Sequence, residues 1–275
     1  MSISAKDVKK LRDHTGAGMM DCKKALKEAD GDFDKAIEVL RKKGQKLSAK
    51  RADRDAKEGV VMALVNDDQT KGVVIKLSCE TDFVAKNEDF VQLAKEMATI
   101  ALKEFPTSKE ELLKLKLNDI TIGEKVTEQI GVIGEKIELA DYERMESDMV
   151  VSYIHMGHKA GVILGLNKPG EAEEKAGRDV AMQVAAMRPV GVSKEDVPQE
   201  TIDKELEIGR EIALKEGKPD NIVDKIAQGK LNKFFKENTL LHQAYVKESK
   251  MTVEQYLKSI NPDLTVTGFK HIELG

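Results

Sequence analysis

The sequence predicts an α+β protein: a small three-helix module, then two related α+β halves with antiparallel sheets, with a helical hairpin inserted toward the C-terminal end. Three observations predict it. Residues 4–44 carry only helical periodicity. Two β-hairpin signatures, each followed by an apolar-striped helix, recur at nearly constant spacing. A long helical stretch from Pro198 to about Lys236 is broken only at Gly217-Lys218-Pro219.

The elements follow in chain order. Ser4 is placed to cap a first helix with Val8 and Leu11 on one face, ended by Gly16 and Gly18. A second helix turns Cys22, Ala25, Leu26 and Ala29 inward, and Asp30-Gly31 makes the next turn. A third presents Phe33, Ala36, Ile37 and Leu40, with Gly44 expected as its C-cap. This gives a module over 1–45 and a polar linker over 46–57, of high helix propensity but with little to bury.

EGVVMALV and KGVVIKLSC, separated by Asn66-Asp67-Asp68-Gln69, form a hairpin, and Asn87 caps the helix that follows. A further helical region and the strand candidate GEKIELADYERME complete a first half over 58–145. The second half, 146–275, repeats the plan with MVVSYIHM, AGVILGLN and the helix AGRDVAMQVAAM. Gly72-Val73-Val74-Ile75 aligns with Gly161-Val162-Ile163-Leu164 at an offset of 89 residues, and the two helices align at 87. Duplication accounts for both offsets. The helical projection covers about 198–236. The tail, 239–275, holds the short helix TVEQYLKSI and VTGFKHIEL, which alternates like an edge strand.

Composition excludes several function classes. The net charge of −4 gives no general reason for a nucleic-acid or membrane partner, and no apolar run spans a bilayer. The basic cluster Lys42, Lys43, Lys46, Lys50, Arg51 and Arg54 is the one candidate RNA surface. It is interleaved with Asp53, Asp55 and Glu58 and lacks an aromatic platform. Cys22 and Cys79 form no CxxC, and Cys79 reads as a buried thiol without a base to activate it. The glycines of TIGEKVTEQIGVIGEK do not match a phosphate-binding loop. His155 and His158 fall on opposite faces of a strand end, unsuited to share a metal. No catalytic site, cofactor or metal is selected, so a binding protein is expected rather than an enzyme.

Two strings carry a resemblance. Thr15-Gly16-Ala17-Gly18-Met19-Met20-Asp21-Cys22-Lys23-Lys24-Ala25-Leu26 and Cys79-Glu80-Thr81-Asp82-Phe83-Val84-Ala85-Lys86-Asn87 are similar to the two signatures of the bacterial elongation factor Ts family. Tyr153-Ile154-His155, the helix from Val180 to Pro189, and Gly229-Lys230-Leu231-Asn232-Lys233-Phe234-Phe235 extend the resemblance over essentially the whole chain. It implies a guanine-nucleotide exchange factor acting on elongation factor Tu in the bacterial cytoplasm. The absence of a transit peptide agrees with that compartment. The alternative is a protein-binding or chaperone-like module without exchange activity.

The resemblance also implies roles for residues. The three-helix module becomes a ubiquitin-associated-like docking domain, with Met19 and Met20 as contacts and Arg12 and Lys23 at their rim. On local rules the two methionines equally fit the small core. Thr81, Asp82, Phe83 and Val84 form the corner that enters the partner near its magnesium and phosphate site. Local rules alone would bury Phe83 and use Thr81 as a cap with Asp82 as a helix-start charge.

His155, Met156 and Gly157 are implied to touch another partner domain. There the chain departs from the family, with His158-Lys159 in place of a common Gly-Arg, so a positive φ at position 158 is expected to be avoided or costly. Gln183 and Gln243-Ala244-Tyr245 are further departures and read as packing variants. The partner is expected in its GDP-bound and nucleotide-free states, without direct nucleic acid. The projection's apolar stripe fits either a homodimer or packing on its own chain.

Overall fold

A computed structural model describes residues 3–275. The N-terminal module comprises α1 (Ala5–Thr15), α2 (Met19–Glu28) and α3 (Phe33–Arg51). Ser4 caps α1 in a capping box with Asp7, and Asp32 caps α3 by accepting the N–H of Lys35. Leu11, Cys22, Leu26 and Ala36 are fully buried between the three helices.

The third helix does not stop at Gly44. It runs to Arg51, so the first part of the segment expected as a linker is helix. Gly44 is buried where α3 crosses α7 (Ile122–Ile133), and a Cβ there would lie 2.7 Å from the carbonyl oxygen of Thr127. Glycine serves a close helix crossing, which offsets the roughly 1 kcal/mol it costs inside a helix. Leu47 continues the contact by packing on the core of the first sheet.

That sheet has β1 (Glu58–Val65) and β2 (Lys71–Cys79) as a hairpin, followed by α4 (Asp82–Ala85), α5 (Glu88–Glu104) and the single turn α6 (Lys109–Leu112). The small ribbon β3 (Lys116–Leu117) and β4 (Ile120–Thr121) leads into α7. Next, β5 (Glu138–Glu146) pairs with β2, giving the antiparallel order β1-β2-β5. The apolar stripe of α5, including Phe90, Ala94, Met97 and Ala101, covers one face.

The second sheet is built in the same way. β6 (Met149–His155) and β7 (Ala160–Leu166) form a hairpin, α8 (Glu171–Met187) covers it, and β10 (Val266–Glu273) closes the order β10-β7-β6. Between them come α9 (Gln199–Lys215), α10 (Asp220–Asn238), the ribbon β8 (Ala244–Tyr245) and β9 (Glu248–Thr252), and α11 (Val253–Ile260). The hairpin of α9 and α10 packs on itself through Gly209, Ala213, Val223, Ala227 and Leu231 rather than covering a sheet. Gln183 is more than a packing variant. It is buried, donates to Gln243 Oε1 at 3.1 Å and the Ala244 carbonyl at 3.0 Å, and accepts the Val246 N–H at 2.9 Å. Its amide is thus satisfied at both ends.

The two sheets meet face to face through Val61, Ala63, Val74, Val150, Ile163 and Ile272. Their joint is reciprocal. The Val61 N–H of β1 donates to the His158 carbonyl, and the Val150 N–H of β6 donates to the Gln69 carbonyl. A Cβ on Gly72 would lie 2.7 Å from a Val150 methyl, and one on Gly161 would lie 2.7 Å from a Val61 methyl. Val61 and Val150, Gln69 and His158, and Gly72 and Gly161 are each separated by 89 residues. Each hairpin turn therefore caps the first strand of the other sheet.

This joint overturns the expectation that position 158 avoids a positive φ. Met156, Gly157 and His158 are all left-handed, at 47°, 63° and 73°. The conformation costs a non-glycine residue roughly 1–2 kcal/mol. At His158 the two-way pairing with Val61 offsets it: the His158 carbonyl accepts at 2.9 Å, and its Nδ1 lies 3.2 Å from the Val61 carbonyl oxygen.

Replacing Gly161 with alanine should overpack this joint and lower stability by about 1–3 kcal/mol in urea unfolding. Adding Val61→Ala should recover part of the loss.

Candidate functional site

Residues 79–87 link β2 to α5, and most of their side chains have definite tasks. Cys79 ends the strand fully buried, and its thiol donates to the Thr81 carbonyl at 3.2 Å. Burial pushes the Cys79 thiol up to about 12, and the nearby Glu135 carboxylate adds to the effect, so it is no nucleophile. Asn87 caps α5 by accepting the Asp89 N–H at 2.8 Å.

Between them, α4 is a single turn. Val84 and Ala85 take its inward positions against the first core. At about 100° per residue, this leaves Phe83 directed outward, 84% exposed. The local expectation that the ring is core is therefore wrong: its inward place is already occupied. Burying such a ring would stabilise by about 1.5–3 kcal/mol, which this corner forgoes. Asp82 sits at the start of the turn and accepts from Lys86 at 2.6 Å. That hydrogen bond holds its carboxyl below the usual aspartate value.

Thr81 occupies the cap position of α4, but its hydroxyl does not cap. It donates instead to Glu135 Oε1 at 2.6 Å. Glu135 Oε2 also accepts the N–H groups of Glu80 and Thr81, at 3.1 and 3.0 Å. Glu80 in turn accepts from Arg51 at 2.8 Å, Arg54 at 2.9 Å and the Lys136 N–H at 2.6 Å. Burial works to raise the Glu80 pKa. The Lys136 N–H and the Arg54 and Arg51 guanidiniums outweigh burial and hold the carboxyl below its ordinary value of 4.5.

Sequence reasoning missed Glu80, Glu135, Lys136, Arg51 and Arg54 as a unit. Glu80 lies inside a string already singled out. No periodicity marks Glu135, which follows the left-handed Gly134 that ends α7. The basic cluster is also changed by folding. Arg51 and Arg54 are spent on Glu80, and Lys43 pairs with Asp21 at 2.6 Å. This removes part of the candidate RNA surface.

Met19 and Met20 open α2 and are 45% and 64% exposed, outside the core of the module; Arg12 on α1 and Lys23 on α2 are also exposed. The core-filling alternative for the two methionines is thereby excluded. The α1–α2 loop rests on the end of α7, where Val132 packs against the module's core three residues before Glu135.

Met156 is 72% exposed on the β6–β7 turn, beside exposed Gly157. His155 is half-buried, with Nδ1 3.0 Å from the Tyr153 hydroxyl. His155 and Met156 line a cleft with Lys57, Glu58 and Arg188, and Glu58 pairs with Cys79 in the ladder. The turn and the corner thus lie at one end of the joined sheets. Among the described residues, no group of three or more His, Cys, Asp or Glu side chains is placed to hold a metal, and no helix is long and apolar enough to cross a membrane.

Comparison with known proteins says in which family this protruding ring and its braced turn occur. The family model described as Elongation factor TS matches residues 80–275, from the base of the corner onward. The chain is 56% identical over 273 residues to elongation factor Ts of Christiangramia forsetii, covering 99% of each protein. It is 53% identical over 274 residues to that of Flavobacterium psychrophilum, covering all of this chain and 99% of the relative.

The chain belongs to the elongation factor Ts family.

The relatives align with the N-terminal module as well, which lies outside the family model's match. Elongation factor Ts of Porphyromonas gingivalis is 50% identical over 275 residues, all of this chain and 99% of its own. Membership thus extends from the module through both sheets, the helical hairpin and the tail. A family of nucleotide exchange factors makes and breaks no bond, consistent with a corner that exposes a ring rather than a nucleophile.

Both cysteines are fully buried. Neither should react with a thiol reagent at pH 8 until the protein is unfolded, as followed by absorbance. The Glu80 carboxyl has a lowered folded pKa, so its bonds contribute fully above pH 4.5 and are lost as pH falls through the lowered value. Amide exchange at Lys136 should accordingly lose protection under acid conditions, while the amides of β2 keep theirs.

Proposed function

We propose that the Asp82–Phe83 corner is the element by which this chain, an exchange factor for elongation factor Tu by its family, promotes release of GDP. The exposure of Phe83 carries the reading: a large ring is held in water on a turn anchored from both sides. Entering the partner near its magnesium and phosphate site, the ring gains the burial it lacks in the free factor. That gain is available only in a partner conformation incompatible with tight GDP binding. The coupling is reciprocal, so GTP then displaces the factor. Asp82 contributes chiefly through its place at the start of the turn.

The remaining surfaces support docking. The N-terminal module acts as a ubiquitin-associated-like domain, with Met19 and Met20 meeting the partner's nucleotide-binding domain and Arg12 and Lys23 at the rim. The two sheets form two related subdomains, and His155, Met156 and Gly157 of the second meet a different partner domain. Both the GDP-bound and the nucleotide-free partner are bound, the latter more tightly, in the cytoplasm. Exposed Ile208, Leu214 and Ile222 on the α9–α10 hairpin support pairing of two copies through it.

The test uses elongation factor Tu loaded with fluorescent GDP and chased with excess unlabelled GTP. The wild-type chain should accelerate release. Phe83→Ala should lower that acceleration about 30-fold or more, the scale of losing an interface anchor, with an unchanged melting midpoint. Full acceleration by folded Phe83→Ala would refute the role of the corner. A tight complex without any acceleration would favour a binding module lacking exchange activity.

A further inference from the structure

Glu135 spends all its hydrogen bonds on the two residues immediately before Asp82–Phe83: the N–H of Glu80, and the N–H and hydroxyl of Thr81. It forms no ion pair among the described residues. The adjoining Glu80 answers in the opposite direction, accepting the Lys136 N–H while Arg51 and Arg54 hold it to the end of α3. Lys136 Nζ donates to the carbonyls of Ala52 and Arg54, at 3.0 and 2.9 Å. Three chain segments are thus clasped at one point, directly behind the exposed ring.

The clasp opposes a specific alternative. The turn α4 has no side-chain cap of its own and contains only four residues. A rotation by one residue would exchange Phe83 with Val84 and let the ring collapse onto the core, which hydrophobic burial favours. What prevents this is the fixed direction of the backbone entering the turn, and Glu135 holds both N–H groups that define it.

We propose that Glu135 is a positioning residue for nucleotide exchange: by clasping Glu80 and Thr81 it sets the direction in which Phe83 projects. This rests on Phe83 as the exchange element. A residue acting in this way affects the rate within the complex, not its formation, because the methionine surfaces that dock the factor are elsewhere on the chain. Glutamine at 135 can still accept both N–H groups through its amide oxygen and donate its NH2 to the Thr81 hydroxyl. Geometry is therefore retained without the charge.

The test measures release of fluorescent GDP from elongation factor Tu over a range of concentrations of the full chain. Glu135→Ala should lower the maximal rate at least about tenfold and shift the half-saturating concentration less than about twofold. Glu135→Gln should keep at least about half the maximal rate. The double variant Glu135→Ala with Phe83→Ala should be no slower than Phe83→Ala alone, since both act through one ring.

A wild-type maximal rate in Glu135→Ala, or multiplying effects in the double variant, would overturn the proposal. So would a Glu135→Gln variant as slow as Glu135→Ala. Thr81→Val removes one bond of the clasp and covers the case in which Glu135→Ala fails to fold. It should lose about threefold in maximal rate, and an unchanged rate would count against the clasp. A normal rate in Phe83→Ala would instead overturn the exchange role on which the proposal rests.

Discussion

The reciprocal joint between the two sheets is the constraint on which the rest of the structure depends. Each sheet leaves an edge strand with free N–H groups, β1 in one and β6 in the other. Exposed edges are sites for unwanted pairing. Here the turn of each hairpin satisfies the edge of its counterpart, Gln69 on Val150 and His158 on Val61. The close approach at Gly72 and Gly161 lets the facing valines interlock, and the side-chain pair Lys270–Glu143, at 2.9 Å, joins β10 to β5. Two sheets joined in this way offer a rigid frame, and their relative setting brings the turn at Met156 and the corner at Phe83 to one end.

On that frame, the corner is an exposed apolar group maintained against its own tendency to collapse. Dispersed contacts would not set its direction, because a four-residue turn has few. Directional bonds do so: two carboxylates aimed at backbone N–H groups, with Arg51 at the end of α3 and Arg54 just beyond it closing the set. Charge-assisted hydrogen bonds of this kind are about twice as strong as neutral ones. The corner is thereby connected to the N-terminal module along two routes, through the end of α3 and through the end of α7, on which the α1–α2 loop rests. Continuation of α3 past Gly44 matters for this reason. A helix ending there would not carry Arg51 to Glu80 on a fixed helical backbone.

Much was legible before any coordinates. The three-helix module, both hairpins, the Asn87 cap, the helical projection and the edge strand at the end of the chain follow from periodicity, turn residues and an 89-residue internal repeat. Apart from the repeat these are local signals: each depends on residues a few positions apart, which is the range over which backbone sterics and helix or strand periodicity act. The two long motifs added the family. Residue types and order thus determined the α+β class and the kinship.

Only the tertiary structure decided which way Phe83 faces, because that depended on Val84 and Ala85 occupying the core first. It also decided that Gly44 is a crossing point rather than a stop, since the reason is the Thr127 carbonyl on another helix. His158 takes its left-handed conformation for the sake of Val61, 97 residues away, and Thr81 turns from cap to ligand of Glu135, 54 residues away. In the last three cases the partner that sets the outcome is remote in sequence. Local propensity is worth about 1 kcal/mol per residue, and a few directional contacts brought together by the sheets exceed it.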